Sequence, residues 1–261
     1  MHPHLDAARI ALLAVAAFFA GGINAVAGGG SLISFPALLL VGYPALTANV
    51  TNATALLPGY LGGSVGYRRE LQGQRSRLLR LGALSIGGAV LGAFLLLVGP
   101  AGVFQRIVPW LILGACALLV AQPWIARRVA ARQVRHEASG NPAQGELTPE
   151  LGTAQAVSAI YGAYFGAGLG VITLATLGIF LDDSLQRINA LKGALSLVIN
   201  VVAVVYFIAF GSVAWLAVAI MAPVSYVGGM AGVMVARRLD DRVLRVSVVC
   251  FGVAVAVRLL L

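Results

Sequence analysis

Charge is scarce in this chain of 261 residues: only 10% are Asp, Glu, Lys or Arg, while 60% are hydrophobic. A soluble domain carries about 25% charged residues. So few charges could not cover the surface of a soluble body of this size. The 32 glycines and 10 prolines interrupt long apolar runs, as transmembrane helices tolerate. The composition therefore predicts a polytopic membrane protein with an all-α fold.

Groups that carry enzymatic chemistry are missing from the apolar runs. The nine acidic residues and three histidines lie in loops or at segment ends, and the two cysteines, Cys116 and Cys250, are better interpreted as small packing residues. The sequence contains no pair of intramembrane carboxylates, no Ser–His pair, no cluster of metal ligands and no Walker-type phosphate loop. We therefore expect no enzyme, no metal site and no cofactor.

The net charge of +9 comes from arginines between the apolar runs. Five lie in 67–80, four in 125–150 and three in 236–242. Clusters of this kind are typical of cytoplasmic loops, so the partner that they indicate is a lipid bilayer and not a nucleic acid. An A-x-A pattern at Ala25–Ala27 imitates a signal-peptide cleavage site, but we interpret this segment as part of the fold.

A transmembrane helix needs about 20 apolar residues. Eight segments are long enough to be full spans: 7–27, 45–66, 78–98, 102–124, 151–167, 185–208, 213–236 and 242–261. Two shorter apolar segments, 31–42 and 171–181, reach only about 17–18 Å as helices, which is too short for a hydrocarbon core of about 30 Å. Each follows a glycine-rich break, so we predict two short broken helices.

The two breaks match each other at a constant sequence offset. Gly28 corresponds to Gly168, Gly30 to Gly170 and Asn49 to Asn189. The chain is therefore predicted to be a duplicated unit: a first transmembrane repeat over 1–124, a cytoplasmic polar linker over 125–150 and a second repeat over 151–261. Five crossings in each unit give the second repeat the opposite orientation, which is the inverted-repeat architecture of many secondary transporters.

Each glycine-rich break exposes the N-terminus of a short helix. Unpaired N–H groups and the positive end of the helix dipole suit an anion there. The predicted donors are the backbone of Gly28, Gly29, Gly30, Gly168 and Gly170, with the hydroxyl of Ser31. The alternative is that these glycines only let helices pack closely, as we expect for Gly88, Gly92, Gly228 and Gly232.

Polar residues on the neighbouring helices extend the candidate site. Asn189, Lys192, Ser196 and Asn200 share one helical face, and Lys192 is the only lysine of the chain. A lysine about two turns into an apolar helix is either a functional cation or a side chain that snorkels to the interface. The other candidates are Asn49 and Asn52, with Asn24 and Tyr164 four residues before each break; hydrogen bonding between helices is the alternative for each of them.

Three stretches resemble the TauE/SafE family of sulfite exporters: Gly21–Ser31, Phe35–Leu38 and Ala45–Asn52. The second half is similar from Gly162 to Lys192, except that its break is Gly-Leu-Gly where the first is Gly-Gly-Gly. The resemblance covers nearly the whole chain. It implies a plasma-membrane transporter of small sulfur oxyanions or organosulfonates.

The predicted function is therefore the transport of small sulfur-containing anions, in the outward direction, with the substrate bound between the repeats. Uptake, or a permease for another small anion such as a carboxylate, is the alternative within transport. A scaffold subunit that transports nothing is the alternative from another class. The glycine-rich faces would serve a dimer as well as a monomer, so a homo-oligomer stays open.

Overall fold

The computed structural model describes residues 5–26, 28–66, 70–138, 147–235 and 241–260. Within these ranges the chain forms ten α-helices and no strand. They are α1 (Ala7–Val26), α2 (Ser31–Val41), α3 (Ala45–Gly66), α4 (Arg75–Val98), α5 (Ala101–Ala138), α6 (Pro149–Tyr164), α7 (Leu169–Phe180), α8 (Leu185–Phe210), α9 (Trp215–Val235) and α10 (Asp241–Leu260). The predicted all-helical fold is confirmed, and most helices begin and end close to the predicted residues.

The two short helices occur where the sequence predicts them. Helix α2 has 11 residues and ends at Gly42, whose backbone is left-handed with φ 105° and whose N–H caps the carbonyls of Leu38 and Leu39. Helix α7 has 12 residues and begins after Gly168, which is left-handed as well, with φ 79°. A side chain at either glycine would strain the backbone, so these residues fix the bounds of the short helices.

The prediction of eight full spans is not confirmed. Four helices of the described ranges, α1, α4, α5 and α8, are long and apolar enough to cross a membrane by themselves. Helix α6 has only 16 residues, about 24 Å, because the chain leaves the helix at Phe165 and turns through Gly166 with φ 78°. Helix α3 is rich in Asn and Thr, which lowers its hydropathy.

The predicted linker 125–150 is partly helical. Helix α5 continues from the membrane segment through Ala138 without a break, and α6 begins after Thr148, whose side chain accepts a hydrogen bond from the N–H of Leu151. Residues 139–146 lie outside the described ranges. The same is true of the predicted cytoplasmic arginines at 68, 69, 237 and 238.

The most extensive helix contacts join the first half of the chain to the second half. Helix α1 packs on α9 and α4 packs on α6, while α3 contacts α9 and α8 contacts α4. The short helices lie between these pairs: α2 touches α1, α3 and α10, and α7 touches α6, α8 and α5. Large apolar side chains such as Leu91, Phe94 and Leu95 of α4 point outward, which gives the bundle a surface that suits lipid.

Glycines stand at the main helix crossings. A Cβ on Gly88 of α4 would lie 2.6 Å from the carbonyl oxygen of Ala156 of α6, and one on Gly92 would overlap the carbonyl of Ile160. Gly228 of α9 is packed in the same way against the carbonyl of Phe18 in α1. The packing role predicted for these three glycines is confirmed; the surroundings of Gly232 lie outside the described residues.

Candidate functional site

The two glycine-rich breaks meet inside the bundle. A Cβ on Gly28, whose φ is +77°, would lie only 2.7 Å from the Cα of Gly170. The backbone of the first break therefore lies directly on the first turn of α7. Both glycines are buried. The structure thus brings together the two segments that the sequence predicts to share a site, although Ala27 is outside the described residues.

Close packing also explains part of this glycine pattern. A Cβ on Gly30 would overlap the carbonyl of Ala20 in α1, whereas one on Gly29 would meet only the side chain of Leu119, at 3.2 Å. A Cβ on Gly168 would make ordinary contact with Leu118, at 3.4 Å. Gly28 and Gly30 are therefore required by the packing of the backbone itself, while Gly29 is not.

Asn24 organises the first break. Its side-chain oxygen Oδ1 accepts a hydrogen bond of 2.7 Å from the N–H of Gly30, which precedes the first residue of α2. Its side-chain nitrogen Nδ2 is buried and has no hydrogen-bond partner among the described residues. The residue is only 8% exposed, so an unsatisfied amide donor lies buried beside the start of a short helix.

Part of the N-terminus of α2 is already satisfied by the protein. The N–H groups of Leu32 and Ile33 turn back to the carbonyls of Gly29 and Gly30, at 3.0 and 2.9 Å. Together with the bond from Gly30 to Asn24, this leaves fewer free backbone donors than a bare helix start would offer. Ser31, the predicted hydroxyl donor, is buried at the first position of the helix.

The polar residues of α3 hydrogen-bond to α2, which follows the first break, and to the end of α6, which precedes the second. The side chain of Asn52 accepts a 2.5 Å hydrogen bond from the hydroxyl of Ser34 in α2. The side-chain nitrogen of Asn49 donates to the backbone carbonyl of Tyr164, which ends α6, at 2.9 Å. Both asparagines are buried. They therefore link α3 to the first short helix and to the turn that leads into the second.

The second break is built differently from the first. Tyr164 occupies the position that corresponds to Asn24, but its ring packs edge-on against Phe104, with the centroids 5.7 Å apart. The hydroxyl of Tyr161 instead donates a 2.6 Å hydrogen bond to the carbonyl of Ala167. Backbone donors at the start of α7 are already used, because the N–H groups of Leu169 and Val171 donate to the carbonyls of Gly166 and Gly168. The two breaks are thus unequal in structure.

Lys192 lies one turn beyond Asn189 on α8, and its ammonium group donates a 3.0 Å hydrogen bond to the side-chain oxygen of Asn189. Within the described residues no carboxylate lies at ion-pair distance from Lys192. Helix α8 packs against α3 and α7. Among the described residues, no hydrogen bond joins Lys192 or Asn189 directly to either break. In the described part of the chain, Lys192 therefore has no carboxylate that compensates its positive charge.

The rest of the predicted polar face of α8 is buried. The side-chain nitrogen of Asn200 donates to the carbonyl of Ser196 at 2.8 Å, and Tyr60 of α3 hydrogen-bonds the Asn200 side chain. The hydroxyl of Ser196 has no partner among the described residues. Asn200 therefore joins α8 to α3, as the alternative interpretation of such residues predicts.

The sequence did not lead to two residues whose side chains form hydrogen bonds beside the breaks, Ser34 and Tyr161. Ser34 is completely buried and bonds the candidate residue Asn52. Its position three residues after Ser31, within an otherwise apolar short helix, is a signal that could have identified it. Tyr161 gave no comparable signal, because its role depends on how the chain turns after α6.

The chain is similar in sequence to one known protein family and to several proteins named probable membrane transporters. Residues 13–259 match the family described as sulfite exporter TauE/SafE. A protein of Sinorhizobium named "Probable membrane transporter protein ORF9" is 30% identical over 260 residues, which cover 96% of this chain and 92% of that protein. A "Probable membrane transporter protein" of Haemophilus influenzae is 25% identical over 92% of this chain and 90% of its own length.

A more distant relative is the "Probable membrane transporter protein YfcA" of Escherichia coli K12. It is 22% identical over 96% of this chain and 89% of its own length. No solved structure matches the chain.

Proposed function

The chain belongs to the TauE/SafE family of sulfite exporters and is a membrane transporter, and we propose that it carries small sulfur-containing anions, such as sulfite or organosulfonates, outward across the plasma membrane. The substrate binds where the two breaks meet. Asn24 and the backbone around Gly29 and Ser31 supply hydrogen-bond donors. Lys192 supplies the positive charge.

The observation that carries this proposal is the amide of Asn24. Its oxygen is used by the N–H of Gly30, so its orientation is fixed, while Nδ2 has no partner among the described residues and is buried. A buried donor without an acceptor costs about 1–3 kcal/mol. An oxyanion oxygen bound between the breaks would remove that cost, and the positive end of the α2 dipole favours a negative charge there.

The absence of carboxylates around Lys192 in the described part of the chain supports an anionic substrate. The charge of a lysine with a carboxylate partner would be neutralised within the protein, whereas the described partner of the half-buried Lys192 is the neutral side chain of Asn189. An anion that reaches this region would meet a positive charge in surroundings of low dielectric constant, where electrostatic attraction is strong. A compact ammonium group suits a small oxyanion without demanding a particular geometry.

Helix packing supports the inverted-repeat part of the proposal. In the register that matches Gly28 with Gly168, α1 corresponds to α6 and α4 to α9. The packing of α1 on α9 therefore has its counterpart in the packing of α4 on α6, and contact α3–α9 has its counterpart in α8–α4. Alternating access in such folds takes place around a site between the repeats, which is the region where Gly28 contacts Gly170.

Export needs no coupling ion in this account. A cytosol that is negative by about 100 mV gives each exported negative charge about 2.3 kcal/mol of driving force. The membrane potential alone therefore drives the anion outward. A carrier that exports anions by this route should respond directly to an imposed potential.

Transport by proteoliposomes tests the proposal. Purified protein is reconstituted with sulfite inside, and the potential is set by potassium and valinomycin. We expect sulfite efflux above that of protein-free liposomes, faster when the interior is negative, and lost in Asn24→Asp. Gly87→Ala is the matched control, because a Cβ there meets nothing within 4 Å. Flux of acetate without sulfite would indicate the other-anion permease, and no flux of any anion would favour the scaffold.

A further inference from the structure

An aromatic cluster joins α2 and α5 to the end of α6, beside the contact between the two breaks. Phe35 of α2 and Phe165, which follows α6, pack edge to face with their ring centroids 5.5 Å apart. Tyr164 packs edge-on against Phe104 of α5 at 5.7 Å. Phe35, Phe104 and Phe165 are no more than 5% exposed. We call these four residues the aromatic seal.

Asn49 fastens the aromatic seal to α3. Its side-chain nitrogen Nδ2 donates a 2.9 Å hydrogen bond to the backbone carbonyl of Tyr164. Asn49 is only 3% exposed, so this bond is shielded from competing water. Moving the end of α6 away from α2 and α3 would therefore break both this hydrogen bond and the contact between Phe35 and Phe165.

The seal lies at the end of the bundle whose loops are uncharged. Asn49 is about one turn from the start of α3, and Phe104 is about one turn from the start of α5. The N–H of Ala214, just before α9, donates to the hydroxyl of Thr51 at 3.0 Å, so the loop before α9 is at this end too. The loops here carry no charged residue: 42–44, 99–100 and 211–214. Such loops are predicted to be extracellular.

The seal also lies on the extracellular side of the contact between the breaks. Helix α2 runs from the first break to the loop 42–44, so Phe35 is about 7 Å nearer to that end than Gly30. Helices α6 and α7 form a hairpin, in which Ser158 and Thr176 are 3.2 Å apart. Phe165 belongs to the tip of this hairpin, whereas Gly170, which contacts Gly28, lies behind the tip. The rings therefore stand between the extracellular end and the proposed anion site.

The aromatic seal has no counterpart at the cytoplasmic end. In the register that matches the two breaks, its four residues correspond to residues that are not aromatic: Ala175, Leu244, Asn24 and Ala25. The same axis that relates the two halves therefore relates a layer of buried rings at one end to small, aliphatic or amide side chains at the other.

The hydrogen bond of Asn49 has no counterpart either. In the same register Asn49 corresponds to Asn189, and Tyr164 corresponds to Asn24. No hydrogen bond joins Asn189 to Asn24 in the part of the chain that the structure describes; the partner of Asn189 is Lys192 instead. Asn49 is buried, whereas Asn189 is half-buried. The structure is thus closed at the extracellular end by contacts that the cytoplasmic end does not repeat.

We propose that the aromatic seal is the extracellular gate of the carrier and that Asn49 is its latch. That an anion passes this gate rests on the proposed function, whereas the closure rests only on the contacts of the seal. In an inverted repeat, exchanging the conformations of the two halves exchanges the closed and the open end. The bond between Asn49 and Tyr164 is then broken, and Asn189 donates to the carbonyl of Asn24. Asn49 is therefore a positioning residue and not a ligand of the anion.

Cysteine labelling from each side of the membrane tests the gate. In a Cys116→Ala/Cys250→Ser background, Ser31→Cys places a nearly isosteric thiol at the start of α2. Right-side-out and inside-out membrane vesicles are treated with a positively charged, membrane-impermeant methanethiosulfonate reagent. Phe165→Ala should raise the labelling rate in right-side-out vesicles about tenfold, which corresponds to about 1.4 kcal/mol of lost closure, and should not raise it in inside-out vesicles. Phe94→Ala is the matched control, because that ring of α4 is exposed.

The latch is tested in the same way. Asn49→Ala should also raise labelling from the extracellular side, whereas Asn189→Ala, at the corresponding position of the other end, should not. If Phe165→Ala does not fold, Asn49→Ala alone tests the closure.

Two outcomes would overturn the gate. Unchanged extracellular labelling in the folded variants would make the cluster ordinary packing, and an equal rise in both kinds of vesicle would show a general loosening of the bundle. Sulfite flux in liposomes separates this proposal from the proposed function. Flux with unchanged labelling would remove the gate alone, and the expected labelling without flux of any anion would remove the proposed function alone.

Discussion

Gly28 and Gly170 are in backbone contact at the centre of the bundle, so close that a Cβ on Gly28 would lie 2.7 Å from the Cα of Gly170. The contact joins two breaks that belong to opposite halves of the sequence. Asn24 accepts a hydrogen bond from Gly30 of the first break, and Asn49 donates to the carbonyl of Tyr164, which precedes the second. This crossing is therefore the structural basis of the proposed anion site.

The backbone contact predicts different losses of stability for alanine substitutions at two neighbouring glycines, Gly28 and Gly29. Gly28→Ala should lower stability by more than about 1–2 kcal/mol, because the left-handed backbone alone costs that much and the new methyl group also meets Gly170. Gly29→Ala should fold nearly normally, since its methyl group meets only the flexible side chain of Leu119, but should weaken anion binding. Thermal unfolding in detergent and sulfite flux in liposomes measure the two effects. Equal losses of stability would contradict this assignment and favour packing as the sole role of both glycines.

Substitutions at Lys192 distinguish a carrier from a scaffold subunit that transports nothing. Lys192→Met should fold with the same or higher melting temperature, because it removes a charge from an apolar helix, and it should lose most sulfite transport. Lys192→Arg keeps the charge and should retain part of the activity. Initial flux rates in proteoliposomes measure the difference. Full transport by the methionine variant would mean that Lys192 only snorkels to the interface.

We expect the effects of substitutions at Ser34 and Asn52 on the free energy of unfolding to be non-additive. Ser34→Ala leaves the side-chain oxygen of Asn52 buried without its donor, which should cost about 1–3 kcal/mol. The double variant Ser34→Ala/Asn52→Leu should cost less than the sum of the two single changes, because neither polar group is then left unpaired. Thermal unfolding of the wild type, the two single variants and the double variant completes this double-mutant cycle. Ser76→Ala, at an exposed site, is the control. Additive losses would be inconsistent with this hydrogen bond.

The helix crossings should be sensitive to glycine substitution without any connection to the anion. Gly92→Ala would push a methyl group into the carbonyl of Ile160 and should destabilise the bundle by about 1–3 kcal/mol. Gly87→Ala on the same helix meets nothing within 4 Å and should be neutral or slightly stabilising, because alanine favours helix. Melting temperatures with and without sulfite measure both effects. A larger sulfite response in one of these variants than in the wild type would argue against a purely structural role.

The sequence was sufficient for the order of the helices and for the position of the breaks. Long apolar runs mark membrane helices strongly, and the glycine clusters at 28–30 and 168–170 interrupt them visibly. It could not show that α6 stops at Tyr164, because the apolar run continues through the turn that Phe165 and Gly166 make. Nor could it show that α5 extends to Ala138, since a polar helix outside the membrane has no apolar run to mark it.

The candidate site was predictable by residue type but not by contact. Asn24 was selected for its position before the break, and its hydrogen bond to Gly30 depends on how α1 ends. Tyr164 was selected by the same register, yet its ring turns to Phe104 and only its carbonyl meets Asn49. The residues of one break can thus be matched to the other by offset, whereas side-chain direction depends on packing between distant helices.

The most direct measurement is thermal stabilisation of the detergent-solubilised protein by anions at fixed ionic strength. The panel is sulfite, thiosulfate, sulfate, sulfoacetate, taurine, acetate and chloride, applied to the wild type and to Asn24→Asp. This variant keeps an oxygen for the N–H of Gly30 but loses the free donor and gains a negative charge. A ligand at 100 times its Kd adds about 2.7 kcal/mol of stability. We predict a rise in melting temperature with sulfite or a sulfonate that disappears in Asn24→Asp; the same rise in both proteins, or no rise with any anion in a well-folded wild type, would contradict an anion site at the breaks.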